Sequence, residues 1–154
     1  MSAEPIDEFR WTVRVYFEDT DAAGIVYYAN FLKFFERCRT EWLRALGIEQ
    51  RQLTLDAQLQ FVVASLRTEF LRPARLDDSL VITAGIAQRA RTYMVFAQRA
   101  LRRAAADDEL LATAEVKVAC IDTRTLRPTA LPASLVDTLR RAPLNEPAGA
   151  GVRP

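Results

Sequence analysis

The chain has 154 residues, half of them hydrophobic and 27% charged, which is the composition and size of one globular domain. Its 21 basic and 20 acidic residues leave a net charge of +1, which argues against a nucleic-acid binder or a polybasic membrane patch. There is no histidine. That excludes a Ser-His-Asp or Cys-His triad, a histidine-rich metal site and a histidine general base.

Residues 1–10 carry Glu4, Asp7 and Glu8 and no apolar run, so they read as a flexible N-terminus and not as a signal peptide. Trp11–Phe17 alternates Val13 and Val15 with Thr12 and Arg14 and reads as a strand. An acidic turn, Glu18 to Gly24, follows. From about Asn30 the period becomes helical. Phe31, Phe34, Phe35, Cys38, Trp42, Ala45 and Leu46 share one stripe, and Gly47 marks the stop. Residues 49–57 read as a weak helical turn. Gln58–Leu71 reads as a strand with Val62, Ala64, Leu66, Thr68 and Phe70 on one face.

After the loop Arg72–Asp78 come strands at Ser79–Gln88, Thr92–Arg103 and Leu110–Asp122, with Ala104–Glu109 as a hairpin connection. Pro132–Arg141 reads as a terminal helix. Residues 142–154, rich in proline and glycine, read as a disordered tail. Short connections favour antiparallel neighbours. The expected architecture is α+β: one five-stranded antiparallel sheet around one long helix, forming a single domain over residues 11–141. Such a sheet has free edges, so a homo-oligomer is expected. Cys38 and Cys120 are in no CxxC pair and read as buried apolar side chains in a reducing compartment. No window is long and apolar enough for a membrane span, and the expected location is the cytoplasm.

Physical chemistry singles out Glu18 to Asn30. Three acids lie just before a helix start, whose positive end and unpaired N–H groups favour anions. The plainer reading is a solvated capping turn. The apolar run Gly24-Ile25-Val26-Tyr27-Tyr28 favours a second reading, a carboxylate against an aromatic wall. Beside free N–H groups, such a carboxylate can activate water while the amides polarise a carbonyl.

The string Tyr16 to Phe31 resembles the signature of the 4-hydroxybenzoyl-CoA thioesterase family, which has the hotdog fold. The shared pattern is Asp19, Asp21, Gly24, two aliphatics and an aromatic. Phe35 to Glu41, Phe61 to Val63, Arg72 to Asp78 and Arg127 to Pro132 resemble the branch associated with the Tol–Pal envelope system, so the likeness covers residues 11 to 140. The resemblance implies an acyl-CoA thioesterase with no metal or organic cofactor. Asp21 would be the catalytic carboxylate, as nucleophile or as general base. The backbone N–H near Tyr28 would hold the thioester oxygen, and Gly24 would let the backbone turn close to the substrate. Tyr28 stands where relatives often have histidine, and its side chain is assigned to the pocket wall.

Asp19 reads as a turn acceptor, Glu18 as a surface acid, and Asp77-Asp78 as a solvated turn. CoA phosphates call for arginine. Arg89 and Arg91, beside the turn before Thr92, are the candidates, with ordinary surface arginine as the alternative reading. The resemblance further implies sites shared between subunits of a homodimer or homotetramer. Two other functions stay open: a thioesterase for acyl carrier protein or aromatic thioesters, and a non-enzymatic acyl-binding or envelope-interaction module.

Overall fold

The computed structural model describes residues 8–141. What the sequence leads one to expect of residues 142–154, and of 1–7, therefore lies outside the described residues. Five strands form one antiparallel sheet: β1 (Phe9–Arg14), β2 (Leu59–Phe70), β3 (Ser79–Arg89), β4 (Tyr93–Arg102) and β5 (Glu109–Asp122). Their spatial order is β1-β3-β4-β5-β2. Three helices accompany them: α1 (Tyr28–Ala45), α2 (Gln50–Ala57) and α3 (Ala133–Arg141). This is the expected α+β hotdog architecture.

The helical stripe read from the sequence is the buried face of α1. Phe31, Phe34, Phe35, Cys38 and Trp42 are all buried against the sheet. Opposite them stand Leu80, Ile82, Ala84 and Ile86 of β3, Met94 and Phe96 of β4, and Ala112, Ala114, Val116 and Val118 of β5. Trp42 meets Phe96 edge to face with ring centres 5.4 Å apart, a favoured aromatic geometry. One polar side chain is built into this layer. Gln98 is fully buried. Its Nε2 donates to the Phe35 carbonyl at 3.0 Å and the Thr83 carbonyl at 3.2 Å, and its Oε1 accepts from Arg39 at 2.9 Å. A half-satisfied buried amide would be costly, so this network fixes where α1 lies on the sheet.

Gly47 ends the helix as expected, at φ +83. α1 begins at Tyr28, two residues before the expected start, because the Asn30 amide closes the first turn on the Tyr27 carbonyl at 2.8 Å. The first strand is shifted from the expected one: it begins at Phe9, inside the segment expected to be flexible. It stops at Arg14, and Phe17–Asp19 forms a 3-10 turn. The Asp19 carboxylate accepts the Tyr16 amide at 2.8 Å and turns the chain there.

The phase of β2 is also corrected. A bulge between Val63 and Ser65 inserts one residue, which flips the alternation. Phe61 and Val63 pair with Cys120 and Val118, and Leu66, Thr68 and Phe70 with Val116, Ala114 and Ala112. Cross-strand partners share a face, so Phe61 and Val63, not Val62 and Ala64, join Leu66, Thr68 and Phe70 on the helix side. Asp78 is not a freely solvated acid: Arg102 donates to it at 2.7 Å, and the Arg75 amide at 2.8 Å.

Both cysteines are free and buried, as expected. Burial pushes the Cys38 thiol up to about 12 from an ordinary value of 9.0. The native state therefore holds this proton where the unfolded chain loses it. The linked stability is complete below about pH 9 and is lost as pH rises toward 12. Cys38 should resist alkylation in the native protein at about pH 8 and react on unfolding. Denaturant midpoints should fall through the same alkaline window, and less steeply in Cys38→Ala. Phe34→Ala should lower the unfolding free energy by about 3–5 kcal/mol, measured by denaturant titration, because the ring is fully enclosed.

Candidate active site

The acidic turn folds back on itself. Thr20 and Val26 form an antiparallel bridge. Inside it the Asp21 amide donates to the Ile25 carbonyl at 2.9 Å, and the Gly24 amide to the Asp21 carbonyl at 3.0 Å. Gly24 sits at φ +78, a left-handed conformation that side chains disfavour. Nothing lies within 4 Å of where its Cβ would stand, so glycine is required by the backbone angle and not by crowding.

Two further tethers place this turn at the start of α1. The Tyr27 amide and the Asn30 side-chain amide both donate to the Asp19 carbonyl, at 2.9 and 2.8 Å. The Val26 amide donates to the Ala74 carbonyl at 2.8 Å, which joins the turn to the loop before β3.

Asp21, Gly24 and Tyr28 are therefore brought together. One Asp21 carboxylate oxygen accepts the Ala23 amide at 2.9 Å. The side chain is otherwise exposed, so the partly desolvated setting expected for it is not built by this chain alone. Among the described residues, the Tyr28 and Ala29 amides at the start of α1 meet no acceptor. They point along the positive end of the helix dipole. Beside them stand the Tyr27 and Tyr28 rings, 4.9 Å apart. The Tyr27 hydroxyl holds its proton above the ordinary range, chiefly through its hydrogen bond to Tyr28 and in smaller part through the Asp21 charge. Tyr28 also meets Phe70 of β2 edge to face at 5.8 Å, which supports its place in a pocket wall. Tyr16, Phe17, Tyr27 and Tyr28 are all exposed, so an aromatic wall exists but lacks a cover.

Arg89 and Arg91 are not part of this cluster. The Asp21 turn is tied to Ala74 and Arg75, just before β3 begins, whereas Arg89 is the last residue of β3. Ten residue steps of strand put the two ends roughly 33 Å apart. The Arg89 guanidinium donates to the Leu139 carbonyl in the last turn of α3, and Arg91 is exposed at the turn tip.

Asp19 acts as the turn acceptor that was expected, and Glu18 is exposed. The reading of the residues missed Asn30, the buried side chain that ties turn to helix. Its only signal was a polar residue inside an aromatic stripe. Among the described residues, no group of three acids or cysteines is placed to hold a metal, and no helix is long and apolar enough to cross a membrane.

Comparison with known proteins assigns the chain to a family. Residues 15–139 match the thioesterase-like superfamily model, and the chain belongs to that superfamily. It is 46% identical over 128 residues to the acyl-CoA thioester hydrolase YbgC of Escherichia coli, covering 83% of this chain and 92% of that one. A probable thioesterase from Bartonella henselae superposes with a TM-score of 0.75 at 34% identity, over 81% of this chain and 99% of that one. The 4-hydroxybenzoyl-CoA thioesterase of Pseudomonas sp. strain CBS-3 superposes at 0.78 with 24% identity, over 85% and 98% of the two chains, a likeness of fold.

Asn30→Ala should loosen the turn without melting the core. Losing one such hydrogen bond costs about 1 kcal/mol. Amide exchange at Asp21 to Val26 should speed by about fivefold while that of β3 and β4 is unchanged.

Proposed function

We propose that this thioesterase-family enzyme hydrolyses acyl-CoA to a free acid and CoA, with Asp21 as its catalytic carboxylate. One observation carries the reading: a carboxylate held on a tight turn beside the unpaired amides that open α1. In this reading the thioester carbonyl oxygen lies against the Tyr28 and Ala29 amides. As a nucleophile or water attacks the carbonyl carbon, negative charge develops on that oxygen, where the fixed N–H groups stabilise it. Asp21 either attacks directly or takes a proton from the attacking water. The C–S bond then breaks and CoA leaves as the thiol. As nucleophile, Asp21 would form a mixed anhydride that water must open in a second step. Gly24 keeps the turn tight, and Tyr28 walls the pocket.

The missing cover is supplied, in this reading, by a second copy of the chain. β2 is an edge strand with Val63, Leu66 and Phe70 nearly half exposed, which is a ready surface for pairing. Antiparallel pairing of two such edges about a two-fold axis reverses one sheet against the other. That would bring the far end of one subunit, with its Arg89 and Arg91, toward the Asp21 end of its partner. The CoA phosphates would then be held by Arg91 of the partner subunit, with Arg89 fixing the adjoining α3. Dimer and tetramer both satisfy this geometry, and the expected setting is the cytoplasm.

Thiol release from a panel of acyl-CoA esters, with wild type beside Asp21→Asn, tests the reading. The substitution keeps the size and removes the ionisable group. The rate should fall by about 10²–10⁴ on any ester that the wild type turns over. Unchanged activity in Asp21→Asn removes Asp21 from the mechanism. Turnover only of acyl-acyl carrier protein moves the substrate to the carrier-bound class.

A further inference from the structure

Two phenol hydroxyls at the catalytic turn take no part in the steps above. Tyr27 and Tyr28 stand side by side where the turn passes into α1, with ring centres 4.9 Å apart. Their hydroxyls are joined by a hydrogen bond. The bond holds the proton on Tyr27, so Tyr27 donates and Tyr28 accepts. The proton of Tyr28 is then free to go to a third group.

The fold of the turn decides what lies at the Tyr27 end. Thr20 and Val26 are opposed in an antiparallel bridge, flanked by amide bonds from Asp21 to Ile25 and from Tyr27 to Asp19. Side chains alternate along each arm, so Asp21, Ile25 and Tyr27 share the face opposite Thr20 and Val26. On that face Asp21 and Tyr27 are diagonal neighbours, roughly 7–8 Å apart and within reach of an aromatic side chain. The Asp21 charge acts on the Tyr27 hydroxyl accordingly. The neighbouring Asp19 carboxylate is engaged by the Tyr16 amide.

The Tyr28 end is open. Its ring rests edge-on against Phe70 at 5.8 Å, and Phe70 rests against the buried Phe31. The ring is thus propped on one side yet stays 59% exposed. The same residue carries one of the two free amides that open α1. When a thioester oxygen lies on those amides, the sulfur is bonded to the same carbonyl carbon. It therefore comes beside the residue that bears the phenol.

We propose that the Tyr27 and Tyr28 hydroxyls relay a proton from Asp21 to the departing CoA sulfur, with Tyr28 as the acid that touches it. This rests on the thioesterase reading above, with Asp21 as base on water. Water attacks the carbonyl carbon and gives a proton to Asp21. The C–S bond breaks, and its electron pair goes to sulfur. The Tyr28 proton then moves to sulfur, the Tyr27 proton to Tyr28, and the Asp21 proton to Tyr27. The free acid and the CoA thiol leave, and Asp21 is a carboxylate again. A tyrosine is a weaker acid than a thiol, so Tyr28 alone would protonate sulfur poorly. A carboxylic acid is a far stronger acid than a thiol, which makes the whole transfer favourable. Tyr28 is thus a catalytic residue, and Tyr27 a positioning residue that resupplies it.

Phenylalanine at either position keeps the ring and removes only the hydroxyl, so Tm should be unchanged. Rates are compared for one acyl group carried by CoA, by N-acetylcysteamine and by nitrothiobenzoate. N-acetylcysteamine shares the basicity of CoA without its nucleotide, and nitrothiobenzoate leaves without needing a proton. On the first two esters Tyr28→Phe should lower kcat by about 10²-fold, the low end for a positioned acid, with KM little changed. On the nitrothiobenzoate ester the loss should vanish. Tyr27→Phe should follow the same pattern. The double variant should fall no further than Tyr28→Phe, because the two hydroxyls act as one unit. Equal loss on all three esters overturns the relay and makes Tyr28 a pocket wall or an oxyanion donor. Full CoA-ester activity in Tyr28→Phe overturns it too, as do additive losses in the double variant. In those cases an inactive Asp21→Asn leaves the hydrolase reading standing. A wild type that turns over none of the esters removes both.

Discussion

The burial of one face of α1 against the concave sheet is the constraint on which the rest depends. Four aromatic rings of that helix, Phe31, Phe34, Phe35 and Trp42, are closed off by β3, β4 and β5. Each large side chain removed from water contributes about 1.5–3 kcal/mol, so sliding the helix by one turn would be prohibitive. Gln98 adds direction to this adhesion, because its hydrogen bonds to Phe35 and Arg39 are satisfied at one helix position. Once α1 is seated, its first turn has a fixed place and heading. The free amides of Tyr28 and Ala29 are thereby preorganised, and no catalytic side chain is needed to hold them.

The carboxylate is aimed by a second, separate device. Backbone bonds within Asp21 to Ile25, and from this turn to Asp19 and Ala74, set the Asp21 side chain with little help from side-chain packing. A turn held by main-chain bonds tolerates exposed flanks, and Tyr16, Phe17 and Tyr27 are such flanks. In the proposed reading the same exposure leaves the site of a single chain without its cover. An open carboxylate is well solvated, and oxyanion stabilisation is strongest where water is excluded. The dimer proposed above would cover the aromatic wall, pair the edge strand β2 and bring the far arginines near the turn.

Much of this was legible in the residues. The aromatic stripe of α1 was plain because a buried helix face repeats over many residues. The alternation of β3 and β5 was equally plain, and the pairing of each with β4 follows it. Asp21, Gly24 and Tyr28 stood out through the compressed run of acids, glycine and aromatics, and the resemblance to a thioesterase family rested on that same run. The phase of β2 was not legible. A bulge leaves no mark in an apolar stretch such as Phe61-Val62-Val63-Ala64, where either face could be the inner one. Nor was the early start of α1, since that depends on a single bond between the Asn30 amide and the Tyr27 carbonyl.

The sequence by itself determined the kind of fold, the core helix and the place of the candidate reactive turn, because periodicity and local motif are properties of near neighbours. The tertiary structure decided what lies next to what. It tied the turn to Ala74, it removed Arg89 to the opposite end of the same subunit, and it put Arg39 over Gln98 from a strand 59 positions away. These relations join residues far apart along the chain. They are set by how the helix and strands pack together, which no local pattern of residues encodes.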